Sequence, residues 1–328
     1  MLLGAGGASA TAYDYKDITV PGASDTKAIA VNASHQVAGS YTTSTGLLQT
    51  FVLSKGNIQT VQAPAPDQRK NISPTAIGPT GMVVGIYGDV GVQPFYLAAG
   101  ATTATKLLAP DGSARIVPLA VSQNKLEDIA GYFTTEGAIW GFNTQAHFDE
   151  FVSLQVPGAK STVQTAYAQS SVGYEIPVGT FITDAQHGFF GNSSAPVDPP
   201  GSISTSITYL NNGGPQGGDL GGYYTSKSGY VQGFMRRGSK FTAYRYPLAP
   251  HTTVVRDVVF GEFKDNYGRP HGHIYADGKY QLVGDLKDEV TLTSVADDGS
   301  FVGSRRGADG RFHGYLATCA TAPGTCTP

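Results

Sequence analysis

At seven places along the chain a short apolar run closes on a glycine followed two residues later by an aromatic, or in one case by an arginine. These are Gly39-Ser-Tyr41, Gly85-Ile-Tyr87, Gly131-Tyr-Phe133, Gly179-Thr-Phe181, Gly222-Tyr-Tyr224, Gly261-Glu-Phe263 and Gly303-Ser-Arg305. Successive glycines stand 46, 46, 48, 43, 39 and 42 residues apart. A second mark trails each by 10 to 12 residues: Phe51, Phe95, Phe142, Phe189, Phe234, His273 and Tyr315. Two marks in fixed order at such a period describe an array of small units, none able to bury its apolar face alone.

The stretches between glycines are rich in Thr, Ser, Val, Tyr and Phe, and only 14% of residues are charged, which is the make-up of short strands joined by turns. No stretch has helical spacing of apolar residues, and no 18-residue apolar run could span a bilayer. A net charge of -3 leaves no basic surplus for nucleic acid. Unit two sets the template. Thr75-Ala-Ile77 is followed by the turn Gly78–Gly81, the strand Met82–Tyr87, a loop, the strand Pro94–Leu97, a turn at Gly100 and a fourth strand over Thr103–Leu108. Four antiparallel strands per unit, repeated radially so that sheet edges are protected, predict an all-β, seven-bladed β-propeller over residues 13–318. The last unit lacks a fourth strand, whereas residues 13–20 form a spare one, so the N-terminal strand is expected to complete the last blade and close the ring. Unit four carries the Pro-rich stretch Ala195–Gly201 where an outer strand should be, and unit five opens on the flexible loop Asn211–Gly218.

Residues 1–12 read as a signal remnant or disordered tail. Cys319 and Cys326 flank a Pro-Gly turn in the tail 319–328, where a disulfide is expected. His187-Gly-Phe189, the run His271–Gly278 followed by Lys279–Leu286, and Ile18–Ala23 carry a family resemblance. With them the unit, over about residues 13–317, is similar to the HAF-type extracellular repeats of secreted bacterial proteins. The resemblance implies export (a secreted, extracellular or periplasmic protein) and a propeller. It implies no activity and no catalytic residues.

Departures from the repeat mark candidate chemistry. Gln49, Gln93, Trp140, His187, Gln232, His271 and His313 stand where a loop enters the third strand, on one rim. Such side chains either satisfy backbone groups between blades or, for His187, His271 and His313, converge as proton-transfer groups. His273 replaces a core aromatic, and it shares a strand face with His271, so a metal ion held by this pair is possible, with no other cofactor expected. Arg305, Arg306, Arg256 and Arg311 could clamp a uronate carboxylate while a histidine or Tyr275 takes the proton alpha to it, with Arg306 and Arg311 otherwise solvated turn residues. Trp140, Tyr41, Tyr87 and Tyr224, with Tyr223, Tyr230 and Tyr267, are placed on the same rim, where flat rings suit stacking on sugars or pack between blades. Three functions follow: a secreted propeller, expected as a monomer, binding an extracellular carbohydrate or polymer; a polysaccharide lyase acting on an acidic, uronate-containing polymer; or a scaffold for protein partners.

Overall fold

A computed structural model describes residues 13–319 apart from 68–69, 90–91, 108–114, 123–126, 136–137, 145–150, 170–174, 192–194, 212–218, 245–250, 256–257 and 277–278. The regular structure among these residues is all strand. β1 (Tyr13–Ile18) precedes a first set of four, β2 (Asp25–Val31), β3 (Val37–Thr42), β4 (Leu48–Ser54) and β5 (Asn57–Val61). A second set holds β6 (Ile72–Ile77), β7 (Val83–Tyr87), β8 (Gln93–Leu97) and β9 (Thr105–Lys106). A third holds β10 (Arg115–Val121), β11 (Ile129–Thr135), β12 (Ala138–Thr144) and β13 (Phe151–Leu154). The fourth has β14 (Ser161–Gln169), β15 (Glu175–Ile182) and β16 (Gln186–Phe190). The fifth has β17 (Ser202–Asn211), β18 (Asp219–Ser226), β19 (Val231–Arg237) and β20 (Lys240–Tyr244). The sixth has β21 (His251–Val255), β22 (Val258–Lys264), β23 (Pro270–Ala276) and β24 (Lys279–Leu282), and the last β25 (Val290–Val295), β26 (Phe301–Arg306) and β27 (Phe312–Cys319).

Within each set consecutive strands pair antiparallel, as short turns dictate. Single parallel bridges, Ile139 to Ser161 and His271 to Val290, join neighbouring sets into longer sheets. β1 lies antiparallel to β27, with Tyr13 opposite Cys319 and Ile18 opposite Gly314. Apolar clusters fill the spaces between sets. One gathers Ile18, Val302 and Leu316 with Ala28, Val37 and Phe51, so the last set packs on the first. Residues 1–12, most of the 211–218 loop and Cys326, the expected partner of Cys319, lie outside the described residues.

One expectation is corrected and one irregularity is seen as expected. Of the outer strand expected over Thr103–Leu108, Leu108 lies outside the described residues, and the strand begins only at Thr105, running over Thr105–Lys106, because residues 102–104 turn to the preceding set. Gln62 N–H donates to Thr102 O, and Ala104 N–H to Gln62 O. In the fourth set the Pro-rich stretch does run beside β16, where Val197 N–H donates to Gly188 O, but Pro199 and Pro200 lack the N–H groups a ladder needs.

The two sequence marks are cross-strand partners. Gly39 faces Phe51, Gly85 faces Phe95, Gly131 faces Phe142, Gly179 faces Phe189, Gly222 faces Phe234, Gly261 faces His273 and Gly303 faces Tyr315. A side chain has no room at Gly39, Gly85, Gly131, Gly179, Gly222 or Gly303. A Cβ on Gly131 would strike the Val117 carbonyl oxygen behind it and the Phe142 ring beside it, and Gly85 and Gly179 are enclosed alike. Tyr315 keeps the arrangement by donating its hydroxyl to Thr291 O at 2.8 Å.

The first strands share a second device. Their pairing shifts by one residue between Ala28 and Ala30, Pro74 and Ala76, Pro118 and Ala120, Gln164 and Ala166, Ile207 and Tyr209, and Leu292 and Ser294. Each shift is a β-bulge, which frees one residue from the ladder. At three of the threonines so freed the hydroxyl crosses to the next set. Thr75 donates to Pro118 O (2.6 Å), Thr165 to Ile207 O (2.8 Å) and Thr293 to Ala28 O (2.8 Å). The acceptors are equivalent carbonyls, so these first strands run in one sense and corresponding turns share a rim.

Gly131→Ala is expected to cost about 2–3 kcal/mol, because backbone surrounds the added methyl. A fall in the denaturant midpoint with an unchanged slope checks it. Thr293→Val removes the hydroxyl but keeps the shape, leaving the Ala28 carbonyl a partner short. It should cost about 1–2 kcal/mol in the same measurement.

Candidate functional site

The turns joining second to third strands carry the sequence-predicted histidines on one rim, in three different sets. His187, at the start of β16, gives Nδ1 to Asp198 Oδ2 at 2.6 Å, and Asp198 Oδ1 accepts Gly188 N–H at 3.2 Å. His271, on β23, donates Nε2–H to Asp265 Oδ2 at 3.2 Å. His313, on β27, pairs Nε2 with Asp309 Oδ1 at 3.0 Å and Nδ1 with Thr19 Oγ1 at 3.1 Å. Each imidazole is therefore oriented by a carboxylate of its own turn or its neighbouring segment. Hydrogen bonds, that from His313 foremost, hold Asp309 below the ordinary carboxylate range.

Asp265 organises its turn most completely. Its Oδ1 accepts the backbone N–H groups of Tyr267 and Arg269, and its Oδ2 accepts Arg269 Nε at 2.7 Å. Burial opposes its ionisation, but the backbone and side-chain bonds of Arg269, with His271 and Tyr267, outweigh it and hold the carboxyl far below its usual range. The turn presents Tyr267, 85% exposed, with the Arg269 guanidinium 5.2 Å from its ring centroid.

His271 and His273 are both buried, packed against Phe263 at 5.2 and 6.1 Å between ring centroids. Burial holds His273 down to about 4, below its ordinary 6.5. Among the described residues no three His, Cys, Asp or Glu side chains gather as metal ligands. Arg305 Nη2 lies 2.7 Å from both Asp17 oxygens, a clasp between β26 and β1 rather than a free clamp. Tyr275 packs among Tyr280 and Tyr244. Arg256 lies outside the described residues.

The expected sugar-stacking aromatics divide. Tyr87 and Tyr224 are buried in the clusters between sets, Tyr224 donating its hydroxyl to Gln232 Oε1 at 2.9 Å. Tyr41 and Trp140 are half-buried against such clusters. Tyr267 and Tyr230, the latter 60% exposed in the equivalent turn of the fifth set, stand out. With Ile139 and Ile182 they give the third to sixth sets an exposed apolar residue at or beside each second turn. Among the described residues the first two sets have no exposed large apolar residue, and the last has only Tyr15 on β1.

A cavity of about 290 Å³ lies among the first strands, lined by residues such as Ala30, Thr75, Leu119, Tyr167, Thr208 and Thr293. It also takes in Asn32, Ser122 and Asp297 from the first turns, at the end opposite the histidine rim. None of His187, His271, His273, His313 and Arg305 lines it. Sequence reasoning missed the carboxylates Asp198, Asp265 and Asp309. An aspartate within the turn before the histidine, as in Asp265 and Asp309, was the available signal.

No protein-family model matches the sequence, and no curated protein matches it. Solved structures do. The β-propeller domain of the Trilobed protease from Pyrococcus furiosus matches with a TM-score of 0.55 at 10% identity, over 92% of this chain and 98% of that one. The chain folds as a β-propeller. The polysaccharide lyase Uly1 matches with a TM-score of 0.54 at 12% identity, over 96% of this chain and 93% of that one. The Pyrococcus horikoshii acylaminoacyl peptidase matches at 0.53 and 11%, over 91% of this chain and 52% of that one. At such identities the likeness establishes the propeller alone. No helix among the described residues is long and apolar enough to cross a membrane.

The buried His273 gives a pH test of the propeller core. Its folded-state pKa lies below the unfolded value, so the folded protein resists protonation. The neutral ring's contribution is fully present above pH 6.5 and is lost as pH falls toward 4. His273→Phe, which restores the residue type of the other blades, should remove up to ~3 kcal/mol of this acid-side loss. Unfolding curves recorded from pH 7 to 4 check the flattening.

Proposed function

We propose that the chain is an exported propeller that binds an extracellular carbohydrate polymer on the rim formed by the second turns. In this reading residues 13–318 form one closed ring of seven blades, completed by β1. The seven repeats, the pairing of β1 with β27 and the Thr293 hydroxyl bonded to Ala28 O support it. Export rests on the resemblance to HAF-type repeats.

The observation that carries the binding role is Tyr267, 85% exposed on a turn fixed by Asp265, with Tyr230 in the equivalent turn of the adjoining blade. A rigid, presented ring loses little entropy on stacking against a sugar face. The lyase reading needs a base and a carboxylate clamp around one carbon atom. Here His187, His271 and His313 sit on different blades, each bonded to a carboxylate, and Arg305 is held by Asp17. One similar structure is nonetheless a polysaccharide lyase, so formation of unsaturated uronates belongs in the test.

The test is affinity electrophoresis through gels containing neutral or acidic polysaccharides. Wild-type protein should be retarded by at least one polymer. Tyr230→Ala with Tyr267→Ala should abolish the retardation while the thermal midpoint stays within a few degrees. Mobility unaffected by every polymer, or equal for wild type and double variant, would overturn the proposal, and polymer cleavage lost in His187→Ala would put the lyase in its place.

A further inference from the structure

We infer that the tyrosine rim is selective for an anionic polysaccharide, read by two adjoining subsites on the fifth and sixth blades. This rests on the binding role proposed above and adds the class of polymer. The first subsite is the turn of residues 226–230. Tyr230 closes it, Ser226 Oγ donates to Tyr230 O at 3.1 Å, and Gly229 N–H donates to Ser226 O at 2.8 Å, so the turn is bonded to itself. The second is the turn 264–270, fixed by Asp265 and carrying Tyr267 and Arg269. The blades are neighbours, since Met235 of β19 and Val259 of β22 share one buried cluster.

The charges of these turns are unbalanced. They hold Lys227, Lys264 and Arg269 against Asp265 alone, in a protein of net charge -3. Asp265 is committed to Arg269 and His271. Lys227 and Lys264 are exposed, and no ion pair among the described residues engages either. The other second turns differ. In the first blade that turn holds only neutral residues, and in the last Arg311 is balanced by Asp309 of the same turn, with Arg306 and His313 beside it paired to Glu289 and Asp309. Compared with these two turns, the turns of the fifth and sixth blades carry an excess of cations beside their exposed tyrosines. A ring that stacks on a pyranose beside a cation that meets a carboxylate or sulfate is the recognition element for an acidic sugar. Two such elements on adjacent blades select a chain long enough to span them. A nucleic acid would also offer stacking faces and charge, but it calls for a basic surplus, which a protein of net charge -3 lacks.

The experiment measures retention of the full chain in gels containing a polyuronate, a neutral glucan or single-stranded DNA, at low and moderate salt. The polyuronate should bind most tightly, and its affinity should fall with salt. Lys227→Gln with Lys264→Gln should weaken polyuronate binding about tenfold at low salt, with a shallower salt dependence and an unchanged thermal midpoint. Tyr267→Ala should weaken binding at both salt concentrations. Equal retention by the neutral glucan, or lysine variants that bind the polyuronate like wild type while Tyr267→Ala does not, would overturn the anionic class and leave the tyrosine rim standing. Stronger retention by DNA would also overturn it. No retention by any polymer would remove both readings together.

Discussion

A missing side chain holds the repeat together. At Gly39, Gly85, Gly131, Gly179 and Gly303 a glycine of the second strand lies between a carbonyl oxygen of the first strand and the ring of an aromatic on the third. Gly131 shows the geometry: Val117 O on one side, Phe142 on the other, and no space for a methyl. The ring fills the volume the glycine leaves empty, so the aromatics Phe51, Phe95, Phe142, Phe189 and Phe234 are all fully buried. Overpacking and cavity formation both threaten such a site, which tolerates few residue types.

The bulge of the first strand is the partner of that constraint. By freeing one residue from the ladder it turns a side chain along the circumference, and threonine uses the opportunity to bond the next blade. The same contact appears between Thr293 and Ala28, two residues at opposite ends of the sequence. Adjacent blades are therefore joined by apolar clusters reinforced by hydrogen bonds in the wall of the central cavity.

This explains what could be read from the chain alone. Glycine and aromatic stand out in a sequence, their spacing is the length of one hairpin, and pairing of β1 with β27 follows from counting strands. The start of the strand expected from Thr103 is not legible locally, because residues 102–104 bond Gln62 of the preceding blade, a non-local choice that local pattern does not record. The site was less legible. Tyr87 and Tyr224 share a repeat register with half-buried Tyr41, and register alone does not distinguish a ring in a blade interface from one in solvent. Tyr267 and Tyr230 lie in turns outside the register, and their exposure follows from that. The histidines are legible as a series, but their aspartates reveal that each is tied within its own part of the structure.

The ladder between β1 and β27 has a mechanical consequence. Tyr13 and Cys319 are opposite each other at one end of it, and Ile18 and Gly314 at the other. Tension drawn through the two extremities would load the Tyr13 end first and peel the bonds one by one, instead of straining all of them in shear. The seam that joins the extremities is thus the element that gives way most easily when they are pulled apart, while a force applied across the blades meets whole sheets at once.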